Sequence, residues 1–309
     1  MKKKIIISGS LAYDRIMDFP GYFSDHILPE KIHMLNVSFQ VESVKEKFGG
    51  TAGNIAYALS LLGDHPVISS TIGHDYHRYF EWLVKNRIVT DNIRIMENEF
   101  TASAYITTDR ADNQITGFHP GAMKYPASLD FDKLNPKETI VIVSPGNLEN
   151  MSKYPQLCKA GGIDYIFDPG QALPMLEAEN LTKSIEGCQI LIANDYELEM
   201  ITNKTGLAKE ALQKLAGTII VTQGEAGSLV STRDEVTRIP AVKPRQAVDP
   251  TGAGDSYRGG LLSGLIEGKS IRDCAMMGSV CASFCVEVYG TQEYKFSKKE
   301  FNDRLNSCG

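Results

Sequence analysis

The sequence contains no long basic run and no apolar run of membrane-spanning length. Of its 309 residues, 32 are Lys or Arg and 38 are Asp or Glu, which gives a formal net charge of −6. Domains that bind nucleic acid usually carry the opposite charge on one face, so we expect no nucleic-acid partner. A transmembrane helix needs about 20 consecutive apolar residues, so we expect no membrane partner either.

Cysteine is scarce and is never spaced as in metal-binding or redox motifs. None of the six cysteines forms a C-x-x-C pair. Cys281 and Cys285 are four residues apart in an apolar segment, which predicts small buried side chains rather than metal ligands. The N-terminus runs into an apolar strand, Ile5–Ile7, without the pattern of a signal peptide. We therefore expect a cytoplasmic protein with reduced thiols.

Two common nucleotide-binding motifs are also absent. Gly268-Lys269-Ser270 invites comparison with a P-loop, but Ser263 stands where that motif needs its first glycine. The dinucleotide and protein-kinase pattern G-x-G-x-x-G would need a glycine at Tyr257. Any phosphate site in this chain must therefore be built from a different loop.

The second half of the chain shows a regular succession of apolar strands and amphipathic helices. This βαβ pattern predicts an α/β fold with a doubly wound, mostly parallel sheet, in a single domain covering residues 1–309. Ligands of such sheets bind outside the carboxyl ends of the strands. The predicted strands are 140–143, 165–167, 190–192 and 219–221, with helices near 150–160, near 175–187 and from Asn194.

Alternating apolar and polar residues elsewhere predict a second, smaller sheet. Val37–Val41 alternates as a half-exposed strand does, and segments 102–107 and 114–118 flank a polar turn as in a hairpin. We expect these strands to form a β-sheet lid, inserted in the large α/β core and built from about 12–48 and 100–122. An exposed lid edge would permit pairing with a second subunit, so we expect a monomer or a homodimer.

One stretch, Asp249–Ser256 (DPTGAGDS), carries the clearest chemistry. Its glycines free the backbone to turn and to point several N–H groups in one direction, and the helix that follows adds partial positive charge. This combination predicts an anion site, most often one for phosphate. Asp255 would reach a hydroxyl held in front of that anion, and an anion hole with a base is the minimum needed for phosphoryl transfer to an alcohol.

Residues 249–260 resemble the C-terminal signature of the ribokinase-like, or PfkB, sugar and nucleoside kinases. Shorter pieces of the chain resemble the same family in the same order: Gly9–Asp14, Gly49–Asn54, Asn194–Glu197 and Thr222–Gly227. Three more stretches are most similar to archaeal nucleoside kinases and bacterial adenosine kinases: 113–116, 167–171 and 256–258. The resemblance implies a ribokinase-like fold, ATP as phosphate donor, Mg²⁺ as cofactor and a small-molecule acceptor.

The resemblance also implies roles for individual residues. Asp255 would be the general base, and the backbone of Gly252, Ala253 and Gly254 would hold the transferring phosphate. Five residues would hold the nucleoside: Asp14, Gly49, Gly50, Asn54 and Gln171. Five others would hold ATP and Mg²⁺: Asn194, Glu197, Thr222, Gly224 and Gly227. Asp249 and the backbone of Thr251, with the loop around 286–290, resemble a site for a monovalent cation such as K⁺.

Some of these residues also have plain structural interpretations. Asn194 and Glu197 read equally well as the cap and acidic first turn of a helix. Gly224 and Gly227 would suit any hairpin, and the family often has Lys where this chain has Gln223.

The sequence thus predicts an ATP-dependent kinase acting on the 5′-hydroxyl of a nucleoside, with adenosine converted to AMP as the first expectation. The alternative is a sugar kinase with ribose or fructose as acceptor, which would use the same Asp255 and Asp14. A nucleoside-binding protein without activity is a third reading, but its base or anion loop should be broken, and both are intact. Lid aromatics such as Phe39 and Phe118 are candidates to stack on a base.

Overall fold

A computed structural model describes residues 3–27, 33–34 and 36–308. Within these residues there are thirteen β-strands and nine α-helices. The strands are β1 (Lys4–Ser8), β2 (Ala12–Asp18), β3 (Ser43–Gly49), β4 (Val67–Gly73), β5 (Val89–Met96), β6 (Ala102–Thr108), β7 (Gln114–His119), β8 (Thr139–Val143), β9 (Asp164–Phe167), β10 (Ile190–Asn194), β11 (Thr218–Thr222), β12 (Ser228–Ser231) and β13 (Val236–Ile239). The helices are α1 (Thr51–Leu61), α2 (His77–Lys85), α3 (Leu148–Gly161), α4 (Ala178–Ile185), α5 (Asp195–Thr205), α6 (Lys209–Leu215), α7 (Ala253–Ile266), α8 (Ile271–Cys285) and α9 (Lys298–Asn306).

Nine strands form one large sheet in the order β13-β12-β11-β10-β9-β8-β1-β4-β5. The strands from β11 to β5 are parallel, and β12 and β13 add an antiparallel edge. The predicted doubly wound, mostly parallel sheet is therefore confirmed. Strands β4 and β5 lie on one side of β1, and strands β8 to β11, which come later in the sequence, lie on the other. The crevice at such a switch point is where ligands of open α/β sheets bind.

Apolar side chains on both faces of the strands explain why the sheet is covered on both sides. Ile5 and Ile7 of β1 belong to the core under α1, α2, α7 and α8, whereas Ile6 points into the core under α3, α4, α5 and α6. All five residues of β8 are buried. Strands buried on both faces read as continuous apolar runs, as parallel sheets require.

The remaining four strands form the smaller sheet, in the order β3-β2-β6-β7. The predicted hairpin is confirmed as β6 and β7, and β7 is exposed along its whole length at the sheet edge. The predicted strand Val37–Val41 is wrong, because pairing with β2 begins only at Ser43. Residues 28–32 and 35 of the predicted lid lie outside the described residues.

An aromatic cluster explains the misleading alternation in Val37–Val41. The ring of Phe39 packs against the rings of Phe19 and Phe23, with centroids 4.6 and 5.5 Å away. In this segment alternate side chains are half-buried, but its backbone lacks the hydrogen bonds of a strand. Phe39 lies within this cluster, while Phe118 on β7 is 54% exposed.

Two glycines of α7 bring three helices into close contact. A Cβ atom at Gly259 would collide with the Cβ of Ala58 on α1, and one at Gly260 would collide with the carbonyl oxygen of Met277 on α8. Only glycine permits backbones to approach this closely. The approach places the N-termini of α1 and α7 side by side.

Two further expectations concern buried cysteines and membrane spans. Cys281 and Cys285 are buried within α8, as predicted. No helix in the part of the chain that the structure describes is both long enough and apolar enough to cross a membrane.

Candidate active site

The N-terminus of α7 is formed by the glycine-rich stretch. Gly252 is the N-cap residue and adopts a left-handed conformation with φ of +80°, which disfavours any residue with a Cβ. A Cβ atom there would also lie 2.8 Å from the side chain of Thr291. Ala253, Gly254 and Asp255 form the first turn. The Ala253 N–H donates to the carbonyl oxygen of Pro250 at 3.2 Å, whereas the N–H groups of Gly254 and Asp255 have no carbonyl partner within the helix. The turn therefore has the geometry of an anion site.

A cavity of about 290 Å³ opens at this turn, at the carboxyl ends of β10 and β11. It contains most of the residues that the sequence predicts for phosphate transfer. Its lining residues are Thr51, Asp168, Gly170, Gln171, Asn194, Glu197, Thr222, Gly252, Gly254, Asp255 and Arg258. Gly224 and Gly227 lie in the turn that follows Thr222 and have φ of +54° and +89°.

Three carboxylates and one guanidinium set the electrostatics of this cavity. Burial raises the pKa of Asp255, Arg258 and a hydrogen bond from Asn54 oppose that rise, and Glu197 adds to it. Burial also raises the pKa of Glu197. The residues that line the cavity include three carboxylates, Asp168, Glu197 and Asp255, and one basic side chain, Arg258. The cavity is therefore acidic and suited to a phosphate that arrives with a cation.

The ion pair of Asp168 with Arg258 is a feature for which the sequence predicts no role. Arg258 Nε lies 2.5 Å from Asp168 Oδ2, and Arg258 Nη2 donates to Asp168 Oδ1 at 2.6 Å. The side chain of Asp168 is 2% exposed and that of Arg258 is 8% exposed. A Cβ atom at Gly254 would lie 2.9 Å from Arg258 Nη1, so the third guanidinium nitrogen faces the anion loop.

Asn54 contacts the predicted base directly. Its Nδ2 donates to Asp255 Oδ2 at 2.8 Å, and its Oδ1 accepts from Gln292 Nε2 at 3.0 Å. The side chain is 5% exposed. Asn54 was predicted to contact a ribose, which would use the second N–H of the same amide group; that contact stays a prediction.

Asp14, Gly49 and Gly50 lie together where the small sheet meets α1. A Cβ atom at Gly49 would lie 2.7 Å from Asp14 Oδ2, and Gly50 caps α1 with φ of +86°. Burial, followed by repulsion from Asp249, raises the pKa of Asp14 to about 6, and Lys47 opposes the rise. Asp14 is thus a half-buried carboxylate packed against the backbone of Gly49, and it offers the acceptor oxygens that a sugar site would require.

Asn194 and Glu197 form a complete capping box at the start of α5. Asn194 Oδ1 accepts from the Glu197 N–H at 2.7 Å, and Glu197 Oε2 accepts from the Asn194 N–H at 2.8 Å. The structural interpretation of this pair is therefore correct. Both side chains also line the cavity, so capping fixes their position without removing them from the site.

Asp249, Thr251 and the loop before Gly290 also meet. Asp249 Oδ1 accepts from the Thr251 N–H at 2.9 Å, and its Oδ2 accepts from the Gly290 N–H at 3.0 Å. Lys47 Nζ donates to the carbonyl oxygen of Tyr289 at 2.7 Å. An ammonium group is therefore already present beside the predicted cation site.

The model of the pfkB family of carbohydrate kinases matches residues 12–298, which include every residue of the cavity. The chain belongs to the PfkB family. It is a phosphotransferase with an alcohol acceptor, and its fold is ribokinase-like.

Several similar proteins within the PfkB family are nucleoside kinases. The nucleoside kinase of Methanocaldococcus jannaschii is 35% identical over 85% of this chain and 87% of its own length. The nucleoside kinase of Methanothermobacter thermautotrophicus is 32% identical over 94% of this chain and 91% of its own length. The structure of Burkholderia thailandensis nucleoside kinase in complex with inosine has a TM-score of 0.83 and 34% identity, covering 98% of this chain and 97% of that one.

The buried pair of Asp168 and Arg258 generates a prediction about stability. The substitution Asp168→Asn should lower the free energy of unfolding by about 3 kcal/mol, because it leaves the guanidinium buried without a carboxylate. Urea denaturation followed by circular dichroism measures this change. Glu179→Gln is the control, because its exposed pair with Lys183 should contribute too little to resolve. Equal stability of the two variants would show that Arg258 is solvated or paired elsewhere.

Proposed function

We propose that this PfkB kinase transfers the γ-phosphoryl group of ATP to the 5′-hydroxyl of a nucleoside, with adenosine as the first candidate. The observation that carries the proposal is the meeting of a base, Asp255, with the open N-terminus of α7 in one acidic cavity. The identity of the acceptor rests on the similar nucleoside kinases, one of which was solved with inosine.

Asp255 would take the proton of the acceptor hydroxyl. It must be ionised to do so, and both Arg258 and the N–H of Asn54 favour the charged form. Burial acts in the opposite direction and brings its pKa closer to the working range of a general base. These opposed effects suit a carboxylate that is charged before the reaction and accepts a proton during it.

The first turn of α7 would hold the transferring phosphoryl group. Its backbone N–H groups are fixed in place, so they stabilise the charge that develops without reorganising. Arg258 would add a charged donor from Nη1, because Asp168 occupies its other two nitrogens. Positioning and charge stabilisation of this kind account for most of the catalysis in phosphoryl transfer.

The negative charge of the cavity suits Mg²⁺ brought in with ATP. Asp168, Glu197 and Asp255 outnumber the single guanidinium in the cavity, so a polyphosphate would need an added cation there. When bound, Mg²⁺ would neutralise charge on the phosphate oxygens. Asn194 and Glu197 would orient it from the capping box, and Thr222 would border the nucleotide with Gly224 and Gly227 in the next turn.

The ribose would lie against Asp14, Gly49 and Gly50. A carboxylate accepts two O–H donors, which matches a vicinal diol, and Gly49, which has no Cβ, lets that carboxylate lie directly against the backbone. Gln171 lines the cavity and would contact the base edge only if the acceptor extends along that side. Ribose or fructose alone would use the same groups, so the sugar-kinase alternative differs only in the acceptor.

We place K⁺, if it is used, at Asp249 and the backbone of Thr251. The ammonium of Lys47 on the neighbouring carbonyl oxygen of Tyr289 is a built-in source of positive charge at the same place. K⁺ dependence and oligomeric state, whether monomer or homodimer, remain predictions.

An acceptor panel tests the proposed function. ADP release from ATP and Mg²⁺ is measured with adenosine, guanosine, inosine, cytidine, ribose and fructose, each with and without K⁺. Nucleosides should give the highest kcat/KM, and Asp255→Asn should lose turnover by at least about a hundredfold while still binding nucleoside. Preference for ribose or fructose would favour the sugar-kinase alternative, and near-normal turnover of Asp255→Asn would remove it from the mechanism.

The raised pKa of Asp14 predicts a pH dependence of nucleoside binding. Above a pKa of about 6 the carboxylate is ionised and accepts both ribose hydroxyls, and below it the proton removes one acceptor. Affinity measured by calorimetry should therefore weaken as the pH falls through 6.

Two variants on β2 serve as controls for this pH dependence. Asp14→Asn should bind weakly at every pH. Asp18→Asn, on the same strand but paired with Ser43 and Lys45 of β3, should keep the wild-type profile. Equal wild-type affinity at pH 5 and pH 7.5 would contradict the role of Asp14.

A further inference from the structure

A chain of buried side-chain hydrogen bonds continues behind Asp255 into the protein. Gln292 Nε2 donates to Asn54 Oδ1 at 3.0 Å and to Tyr79 Oη at 2.9 Å. Gln292 Oε1 accepts from Trp82 Nε1 at 2.8 Å. Gln292 is 2% exposed and Tyr79 is fully buried. The amide oxygen of Gln292 and both N–H groups of its amide nitrogen thus have partners inside the protein.

The chemistry of its members fixes the direction of this chain. An indole N–H is only a donor, so the atom of Gln292 that faces Trp82 must be its oxygen. The NH₂ group of Gln292 then faces Asn54, whose nearest atom must be its oxygen. The NH₂ group of Asn54 is therefore the part that faces Asp255. No other orientation of the two amides satisfies every contact.

We propose that Gln292 and Trp82 are positioning residues for the base, holding the amide of Asn54 so that an N–H, and not an oxygen, faces Asp255. This inference rests on the proposed role of Asp255. Neither residue touches the cavity, since neither is among its lining residues. They act only through Asn54, across more than 200 residues of sequence.

The same chain reaches the proposed acceptor site at its other end. Tyr79 accepts from Gln292 and donates to the carbonyl oxygen of Gly49 at 2.5 Å. Thr291, the residue that precedes Gln292 in the sequence, donates to the carbonyl oxygen of Phe48 at 3.1 Å and lies against Gly252. The loop containing Thr291 and Gln292 therefore contacts the end of β3, the turn at Gly252 and, through Asn54, the proposed base.

Among the other ionisable groups around Asp255, only Tyr79 loses a contact when Gln292 is replaced, and its neutral hydroxyl keeps its hydrogen bond to Gly49. Arg258 lowers the pKa of Asp255, and Glu197 on α5 raises it. The charge of Asp255 in turn raises the pKa of Asp168, in the loop after β9, and of Cys285 on α8. Tyr79 also senses it from α2. Losing the Asn54 N–H should therefore raise the pKa of Asp255, while its charged neighbours Arg258, Asp168 and Glu197 stay the same.

The test compares the pH profile of kcat for three variants, measured at saturating nucleoside so that protonation of Asp14 in the free enzyme does not contribute to the acid limb. In Gln292→Met the amide of Asn54 is free to turn, so the acid limb should move to higher pH by about one unit. In Trp82→Phe the ring packing stays but the orienting donor is lost, so the limb should move in the same direction by about half a unit. Rates on the plateau at high pH should approach that of the wild type, because Asp255 is then ionised in all of them.

Tyr57→Phe is the matched control. Tyr57 stacks on Trp82 with centroids 5.7 Å apart and donates to the carbonyl oxygen of Tyr294 at 2.6 Å, outside the chain. It loses one buried hydrogen bond, as the test variants do, and should keep the wild-type acid limb. A wild-type limb in Gln292→Met, or an equal shift in Tyr57→Phe, would overturn the proposal.

A readout without turnover separates this proposal from the proposed function. Carboxyl ¹³C NMR of aspartate-labelled protein follows Asp255, whose resonance is assigned by its loss in Asp255→Asn. Its titration should move to higher pH in Gln292→Met and Trp82→Phe even if no acceptor is turned over. Unchanged titration in both folded variants would refute the positioning role, whatever the reaction proves to be.

Discussion

The hydrogen bond between Asn54 and Asp255 joins the two halves of the site, and much of the fold serves to make it possible. The two residues lie in the first turns of α1 and α7, 201 positions apart in sequence. Glycine at Gly259 lets those helices touch, and glycine at Gly260 lets α8 support them from behind. If α1 and α7 separated, Asp255 would lose the hydrogen bond from Asn54, and the loop at Gly49 would move away from the first turn of α7.

Local features of the site could be predicted from the sequence. The glycines around Gly252 predicted a sharp turn before a helix, and Gly252 indeed adopts a left-handed conformation at the N-cap of α7. The apolar runs of β8 to β11 predicted a parallel sheet because strands buried on both faces need continuous apolar residues. The rejection of a P-loop at Gly268 rested on Ser263, and the structure adds that Gly268 follows the C-terminus of α7 and not a strand.

Features that depend on distant partners could not be predicted. Asp168 and Arg258 are 90 residues apart, and no periodicity indicates that each is buried against the other. Trp82 and Gln292 read as ordinary helix and loop residues until the fold brings them together. Edge strand β5 was missed because its residues alternate weakly and include polar Asp91, Asn92 and Arg94. Val37–Val41 was assigned to a strand because alternate burial in an aromatic cluster imitates strand periodicity.

The proposed reaction transfers a phosphoryl group from ATP to the 5′-hydroxyl of a nucleoside. The position of the phosphate in the product tests this proposal most directly. Adenosine and ribose would be supplied together with ATP and Mg²⁺, and the products followed by proton-coupled ³¹P NMR. We predict a nucleoside 5′-monophosphate as the main product, its phosphorus coupled to the two protons on C5′. Phosphate on ribose in preference to adenosine, or at the 2′ or 3′ position, would contradict the account.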